Sequence, residues 1–130
     1  MSKITNIKAR EIFNGLWEPT LQVTVEVEGG ISGVSAAPTG QSTGMYEAVE
    51  LRDGGDRLDG RGCLKAVAMV EGEIRERLAG MDVTDQAAID MAMKELDGTV
   101  NKSRLGGNST SAVSAAVTAA AAKSEGLPVY

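Results

Sequence analysis

The sequence has 130 residues, 42% of them hydrophobic and 24% charged, which reads as one globular domain burying roughly two-thirds of its unfolded surface. A formal net charge of -5 argues against nucleic acid or an anionic membrane as partner, since both need a basic face. With no histidine and a single cysteine, the chain alone builds no Ser-His-Asp or Cys-His relay, no His-ligated zinc site and no internal disulfide.

Aromatic residues are only 3%, so the core must come from Val, Ile, Leu, Met and a great deal of Ala. Cys63 reads as a small buried apolar residue in a reducing compartment. The N-terminal MSKITNIKAR lacks an apolar signal-peptide core, and no apolar run approaches a membrane span. The expected location is the cytoplasm.

Taken in order, Ile4–Phe13 reads as a first strand, out of strict alternation and therefore allowing packing on both faces. Asn14–Thr20 is a turn, marked by the hairpin dipeptide Asn14-Gly15 and by Pro19, which cannot donate to a ladder. Leu21–Glu28 alternates cleanly, with Leu21, Val23, Val25 and Val27 on one face. Gly29-Gly30 turns the chain, and Ile31–Ala37 returns as a third strand. Sequential strands joined by short turns predict an antiparallel meander.

The stretch Ala36–Asp53, AAPTGQSTGMYEAVELRD, follows. Gly40 and Gly44 flank the hydroxyls of Ser42 and Thr43, with Thr39 just before them. Such a loop exposes backbone N–H groups and hydroxyl oxygens, and suits holding an anion or a metal, or closing over a ligand. It is predicted to run into a short charged helical stretch. Gly40–Gly44 also matches G-x-S-x-G, but a nucleophile elbow needs a parallel sheet and a base that this chain lacks. The phosphate-loop pattern is absent, because Met45 stands where its lysine would be. Glu47, Glu50, Asp53 and Asp56 cluster after the loop and read as water-facing acids. Arg52–Gly62 is expected to be a solvated surface loop.

Cys63–Ala79 is predicted helical, with an inward stripe of Leu64, Val67, Val70, Ile74 and Leu78. Thr84 reads as the N-cap of a second helix whose stripe is Ile89, Ala92, Met93 and Leu96, ended by Asp97-Gly98. Met91 and Met93 are read as core filler. After the polar loop Asn101–Gly107, Asn108 or Ser109 is expected to cap a third helix running to Lys123. The fold class is therefore α+β: a three-stranded antiparallel meander followed by a helical subdomain, all in one domain over residues 1–130. The apolar ending Leu127–Tyr130 reads as a domain boundary.

Longer matches point to a family. KAREIF at Lys8–Phe13, AAP-x-G-x-STG at Ala36–Gly44, YEAVELRDG at Tyr46–Gly54, GRGCLKAV at Gly60–Val67, LDGTVNKSRLGGN at Leu96–Asn108 and the closing AAAAKSEGLPVY run in register along nearly the whole chain. On these, the chain resembles the N-terminal capping domain of enolase (phosphopyruvate hydratase). The resemblance implies a sheet-plus-helices domain set against an eight-fold α/β barrel. Together the two dehydrate 2-phosphoglycerate to phosphoenolpyruvate in glycolysis, with two Mg²⁺ ions.

It implies that the barrel supplies the lysine base and the carboxylate metal ligands, so this chain holds no catalytic residue. Gly40, Gln41, Ser42, Thr43 and Gly44 then form a lid over a small phosphorylated acid, with Ser42 ligating the second Mg²⁺. The implied partners are the barrel, on the same or a separate chain, and a second copy of the enzyme. The chain departs from the family's D-S-R-G-N-P-T at Asn14–Thr20, where Leu16 replaces the arginine and Trp17 appears, and it has Gln22 at a usually acidic strand position. The resemblance ties that arginine and that acid to dimer contacts, while Arg10 is kept. Ser109-Thr110-Ser111 also makes a usually apolar helix start polar. These departures favour an alternative, a diverged stand-alone module that binds a protein partner without catalysis.

Overall fold

The computed structural model describes residues 2–39 and 44–130. Strands β1 (Ile4–Phe13), β2 (Pro19–Val27) and β3 (Ile31–Ala36) form one antiparallel sheet in that order, the expected meander. Pro19 opens the central strand opposite Phe13, the one place in such a strand where a missing N–H is tolerated. Leu21, Val23, Val25 and Val27 all face the core and are buried. The broken alternation of β1 has a cause: its register against β2 shifts between Ile4 and Asn6, which lets both Ile4 and Ile7 point inward. The expectation that β1 packs on both faces fails, because Lys8 and Arg10 lie on a solvent-facing side. There Lys8 pairs with Glu26 at 2.6 Å, and Arg10 Nε donates to Gln22 Oε1 at 2.7 Å.

The helices cover the other face. The first predicted helix begins at Leu64 and is composite: α1 (Leu64–Met69), a π-helical stretch (Val70–Ile74) and α2 (Arg75–Leu78). Its buried residues are Ala66, Val70, Ile74 and Leu78, four apart each time. A strict spacing of four drifts around an α-helix, and the wider π turn restores it to one face. Leu64, placed in the stripe by sequence, is half exposed, and Val67 is only partly buried. Helix α3 (Gln86–Asp97) is capped by Asp85, whose carboxylate accepts from Ala88 N at 3.1 Å. Thr84, the expected cap, instead gives its N–H and hydroxyl to Asp82. Met93 is core, but Met91 is half exposed.

Helix α4 (Gly107–Ser124) starts earlier than expected, and neither Asn108 nor Ser109 caps it. Both lie inside the first turn and are buried. The hydroxyls that made this start look like a new polar surface are consumed internally. Ser109 donates to Ala66 O, and Thr110 to Gly106 O and Gly107 O, leaving only Ser111 exposed.

Helix α4 lies against β2 and β3 through its alanines. At Gly33, an added Cβ would stand 2.2 Å from Ala120 N and 2.5 Å from Ala116 O, so a glycine is what allows this approach. Among the described residues, no helix is long and apolar enough to cross a membrane.

Candidate functional site

Gly40, Gln41, Ser42 and Thr43 lie outside the described residues. What the structure gives is the framework on either side of them. Upstream, Ala37 N donates to Leu21 O at 2.9 Å, and the buried Thr20 hydroxyl donates to Ala37 O at 2.7 Å. Two residues further along the flank, Asn14 Nδ2 donates to Thr39 Oγ1 at 3.2 Å. The same Asn14 side chain accepts from Leu16 N and Glu18 N, so the β1–β2 turn and the Thr39 foot form one unit. Thr39 is thereby engaged with the turn, although the sequence grouped it with the loop hydroxyls. In that turn Trp17 takes a left-handed φ of 60° and is 82% exposed, with its ring centroid 6.4 Å from that of Phe13.

Downstream, Gly44–Glu47 makes a turn, and then the predicted charged helix does not form. Residues 48–53 form neither helix nor strand, and the backbone groups of Val49 and Leu51 are claimed by Asn101 and the entry to α4. Val49 N donates to Asn101 O at 2.8 Å, and Gly107 N to Val49 O at 2.7 Å. Asn108 then behaves as a peptide group would: its Oδ1 accepts from Leu51 N at 2.9 Å and its Nδ2 donates to Leu51 O at 3.1 Å. Two glycines make room. A Cβ at Gly106 would meet Leu51 Cβ at 2.5 Å, and one at Gly107 would meet Ala48 Cβ at 2.8 Å.

The expected solvated loop Arg52–Gly62 is in part a half-buried polar knot. Arg52 Nη1 donates to Pro19 O at 2.5 Å, to Arg61 O at 2.9 Å and to Cys63 Sγ at 3.0 Å, and its other nitrogens hold Glu50. Asp53 accepts from Leu64 N at 3.0 Å and Lys65 N at 2.7 Å, so it caps α1 from eleven residues before its start. Glu11 accepts from Cys63 N at 2.7 Å and pairs with Arg57. That Arg57 hydrogen bond holds the Glu11 carboxyl below the usual carboxylate range, against the opposing effect of burial. Cys63 is buried, as expected, and burial pushes its thiol up.

Thus two of the four acids read as water-facing, Glu50 and Asp53, are structural. Sequence reasoning read Asn14 as a turn residue, Asp53 as a water-facing acid and Asn108 as a helix cap, and it gave Glu11 and Arg52 no role in this framework. Their partners are far away in the chain, and only the uncommon density of charge and amide around one cysteine hinted at them.

Pro38 from the upstream flank meets Glu47, Ala48, Glu50, Gly107, Asn108 and Ser111 around a shallow hollow of about 240 Å³. Its charged lining is two carboxylates, with no cation. Among the described residues, no three His, Cys, Asp or Glu side chains gather as a metal site. The donors in this framework therefore do not by themselves fit a divalent cation. An anionic ligand in the hollow would lie beside the carboxylates of Glu47 and Glu50, of which Glu50 is paired with Arg52 at 2.7 Å.

A family model of the enolase N-terminal domain matches residues 4–130. The chain belongs to the enolase N-terminal domain family. Among curated relatives, it is 53% identical to the enolase of Rubrobacter xylanophilus and 52% identical to that of Methanopyrus kandleri, in each case over 100% of this chain. It is 56% identical to enolase 2 of Lactococcus lactis over 98% of this chain. The chain spans 30% of the length of each of these enolases. Its three-stranded meander followed by helices is the enolase N-terminal fold.

Proposed function

We propose that this chain acts as the capping domain of an enolase and lends residues 40–44 to a site completed by a barrel domain on another stretch of polypeptide. The reaction is dehydration of 2-phosphoglycerate to phosphoenolpyruvate, and the setting is the cytoplasm. The observation that carries the reading is the in-register family match from residue 4 to residue 130. The physical support is the framework itself: both flanks of Gly40–Thr43 are tied by buried polar side chains, yet among the described residues the charged groups that line the hollow between them are carboxylates. A phosphorylated acid needs a cationic floor, and that floor has to come from elsewhere.

In this reading Gly40, Gln41, Ser42, Thr43 and Gly44 cover the substrate, and Ser42 offers one neutral oxygen to Mg²⁺, a hard cation that accepts such donors beside carboxylates and substrate oxygens. When bound, the ions supply the positive charge that makes an α-proton next to a carboxylate removable. The work of this chain is positional. Asn14 and Thr20 fix one foot of the loop, Asn108 and Arg52 fix the other, and the covering loop excludes water. The chain alone is expected to turn over no 2-phosphoglycerate with Mg²⁺ present. Mixed with the barrel portion of the Rubrobacter enolase, it is expected to restore turnover. Enzyme-like turnover by the 130 residues alone would overturn the division of labour.

A further inference from the structure

The sequence contains one Asn-Gly pair, Asn14-Gly15, and it stands in the turn between β1 and β2. An asparagine before glycine is open to cyclisation, because glycine puts no side chain in the way of its own backbone nitrogen. Gly15 is exposed, and a Cβ built on it would meet nothing within 4 Å, so water and base reach its N–H. Among the described residues, that N–H has no hydrogen-bond acceptor. The other asparagines, Asn6, Asn101 and Asn108, precede Ile7, Lys102 and Ser109, whose side chains crowd the following nitrogen.

The carboxamide of Asn14 is held at both ends. Its Oδ1 accepts from Leu16 N at 2.8 Å and from Glu18 N at 3.0 Å, and its Nδ2 donates to Thr39 Oγ1 at 3.2 Å. The main chain is tied as well: Asn14 N donates to Glu18 O at 2.9 Å, and Trp17 N to Asn14 O at 3.0 Å. Cyclisation needs the face of the carboxamide presented to Gly15 N. These contacts fix the plane of the carboxamide, so it cannot rotate until they part. A reactive pair and its restraint therefore coincide in one residue.

We propose that Asn14 is a deamidation site guarded by its own turn, so that it reacts in molecules whose β1–β2 turn has opened and marks them permanently. Gly15 N loses its proton and attacks Asn14 Cγ. The N–Cγ bond forms, the Cγ–Nδ2 bond breaks, and Nδ2 leaves as ammonia, taking the proton. Water then adds to either carbonyl of the cyclic imide and gives aspartate or isoaspartate at this position. No oxidant or reductant takes part. Aspartate keeps acceptor oxygens for Leu16 N and Glu18 N but has no donor for Thr39. It is also the residue that the family pattern carries there. Isoaspartate adds a methylene to the main chain, so the bond from Trp17 N to Asn14 O cannot close as it does here. Either product separates Thr39 from the turn.

The test follows Asn14 by peptide mass spectrometry, with ammonia release counted, while the 130-residue chain is incubated at mildly alkaline pH. The folded chain should deamidate about tenfold or more slowly than the same chain in urea. Thr39→Val removes the acceptor of Nδ2 and should speed the folded reaction about threefold, with the rate in urea unchanged. Amide exchange in β2 should stay as it was, which shows the acceleration to be local. Gly15→Val, which crowds the attacking nitrogen, should bring the reaction nearly to a halt in both states. Equal rates in the folded chain and in urea overturn the proposal. So does a folded Thr39→Val chain that reacts no faster than the unaltered one, or one whose β2 amides exchange faster in the same proportion.

Discussion

Two parts of this molecule are held by different forces. The sheet and its helices are held by periodic apolar contact: alternate residues of β2, every fourth residue of the composite helix, and the alanine face of α4. Residues 44–62 contain almost no regular structure and are held by single polar side chains, each reaching far along the chain. The first part tolerates exchange of one apolar residue for another wherever volume is conserved. The second has no such redundancy, since a few side chains such as Arg52, Asp53 and Asn108 each make several of its bonds. The residues just downstream of Gly40–Thr43 belong to the second part, so their own placement rests on a few hydrogen bonds.

The largest effect is expected where the apolar part is tightest. Gly33→Ala should destabilise by about 3 kcal/mol or more, because its Cβ would overlap backbone atoms of α4 that have nowhere to go. Denaturant unfolding measures it, and loss below about 1 kcal/mol would mean that α4 shifts freely on β3.

Next comes Asn108→Ala in the polar part. It leaves the N–H and C=O of Leu51 unpaired in a partly buried place and should cost about 2 kcal/mol. Its distinguishing mark is local: amide exchange at Val49 and Leu51 should speed up, while exchange in β2 changes only with global stability. Equal acceleration everywhere would erase the distinction between the two parts.

This contrast also explains what could be read from sequence. The meander was legible because β2 alternates without error and glycine pairs mark its turn. The helices were legible because their apolar spacing survives, although the π turn showed only as an unbroken spacing of four. Caps were misread where a neighbour competed: Thr84 was drawn to Asp82, which left Asp85 to cap α3. The irregular run of residues 48–53 was illegible. Tyr46–Asp53 has local helical character, but its amides are claimed by Asn101, Gly107 and Asn108, more than fifty residues away. Asp53 as the cap of α1 was hidden for the same reason. The candidate site was legible only as a family pattern, since no three His, Cys, Asp or Glu side chains gather among the described residues to mark one.

A smaller effect is expected at that distant cap. Asp53→Ala should cost about 1 kcal/mol, with Asp53→Asn recovering part of it, read from the unfolding midpoint. No change would show that α1 starts well without the polar knot.

The smallest effect at neutral pH is electrostatic. Arg57 holds Glu11 below its ordinary value. At Asp97, burial raises the carboxyl, but donors from Leu105, Thr99 and Arg104 outweigh it and leave it lowered. A carboxyl depressed in the folded state contributes stability above its unfolded value, near about 4, and loses it as pH falls through the folded value. Thermal midpoints should therefore be flat from about pH 7 to 5 and fall below about pH 4. Glu11→Gln should make that fall shallower, and an unchanged slope would remove Glu11 from the acid limb.

The claim on which the functional account rests is that this chain contributes its loop, and Ser42 in particular, to chemistry completed by another stretch of polypeptide. The most direct measurement is 2-phosphoglycerate turnover by the chain combined with an enolase barrel, comparing the unaltered sequence with Ser42→Ala at equal complex concentration. The account predicts that the complex forms equally well and that kcat falls by about 10². An unaltered kcat in the Ser42→Ala complex would contradict it.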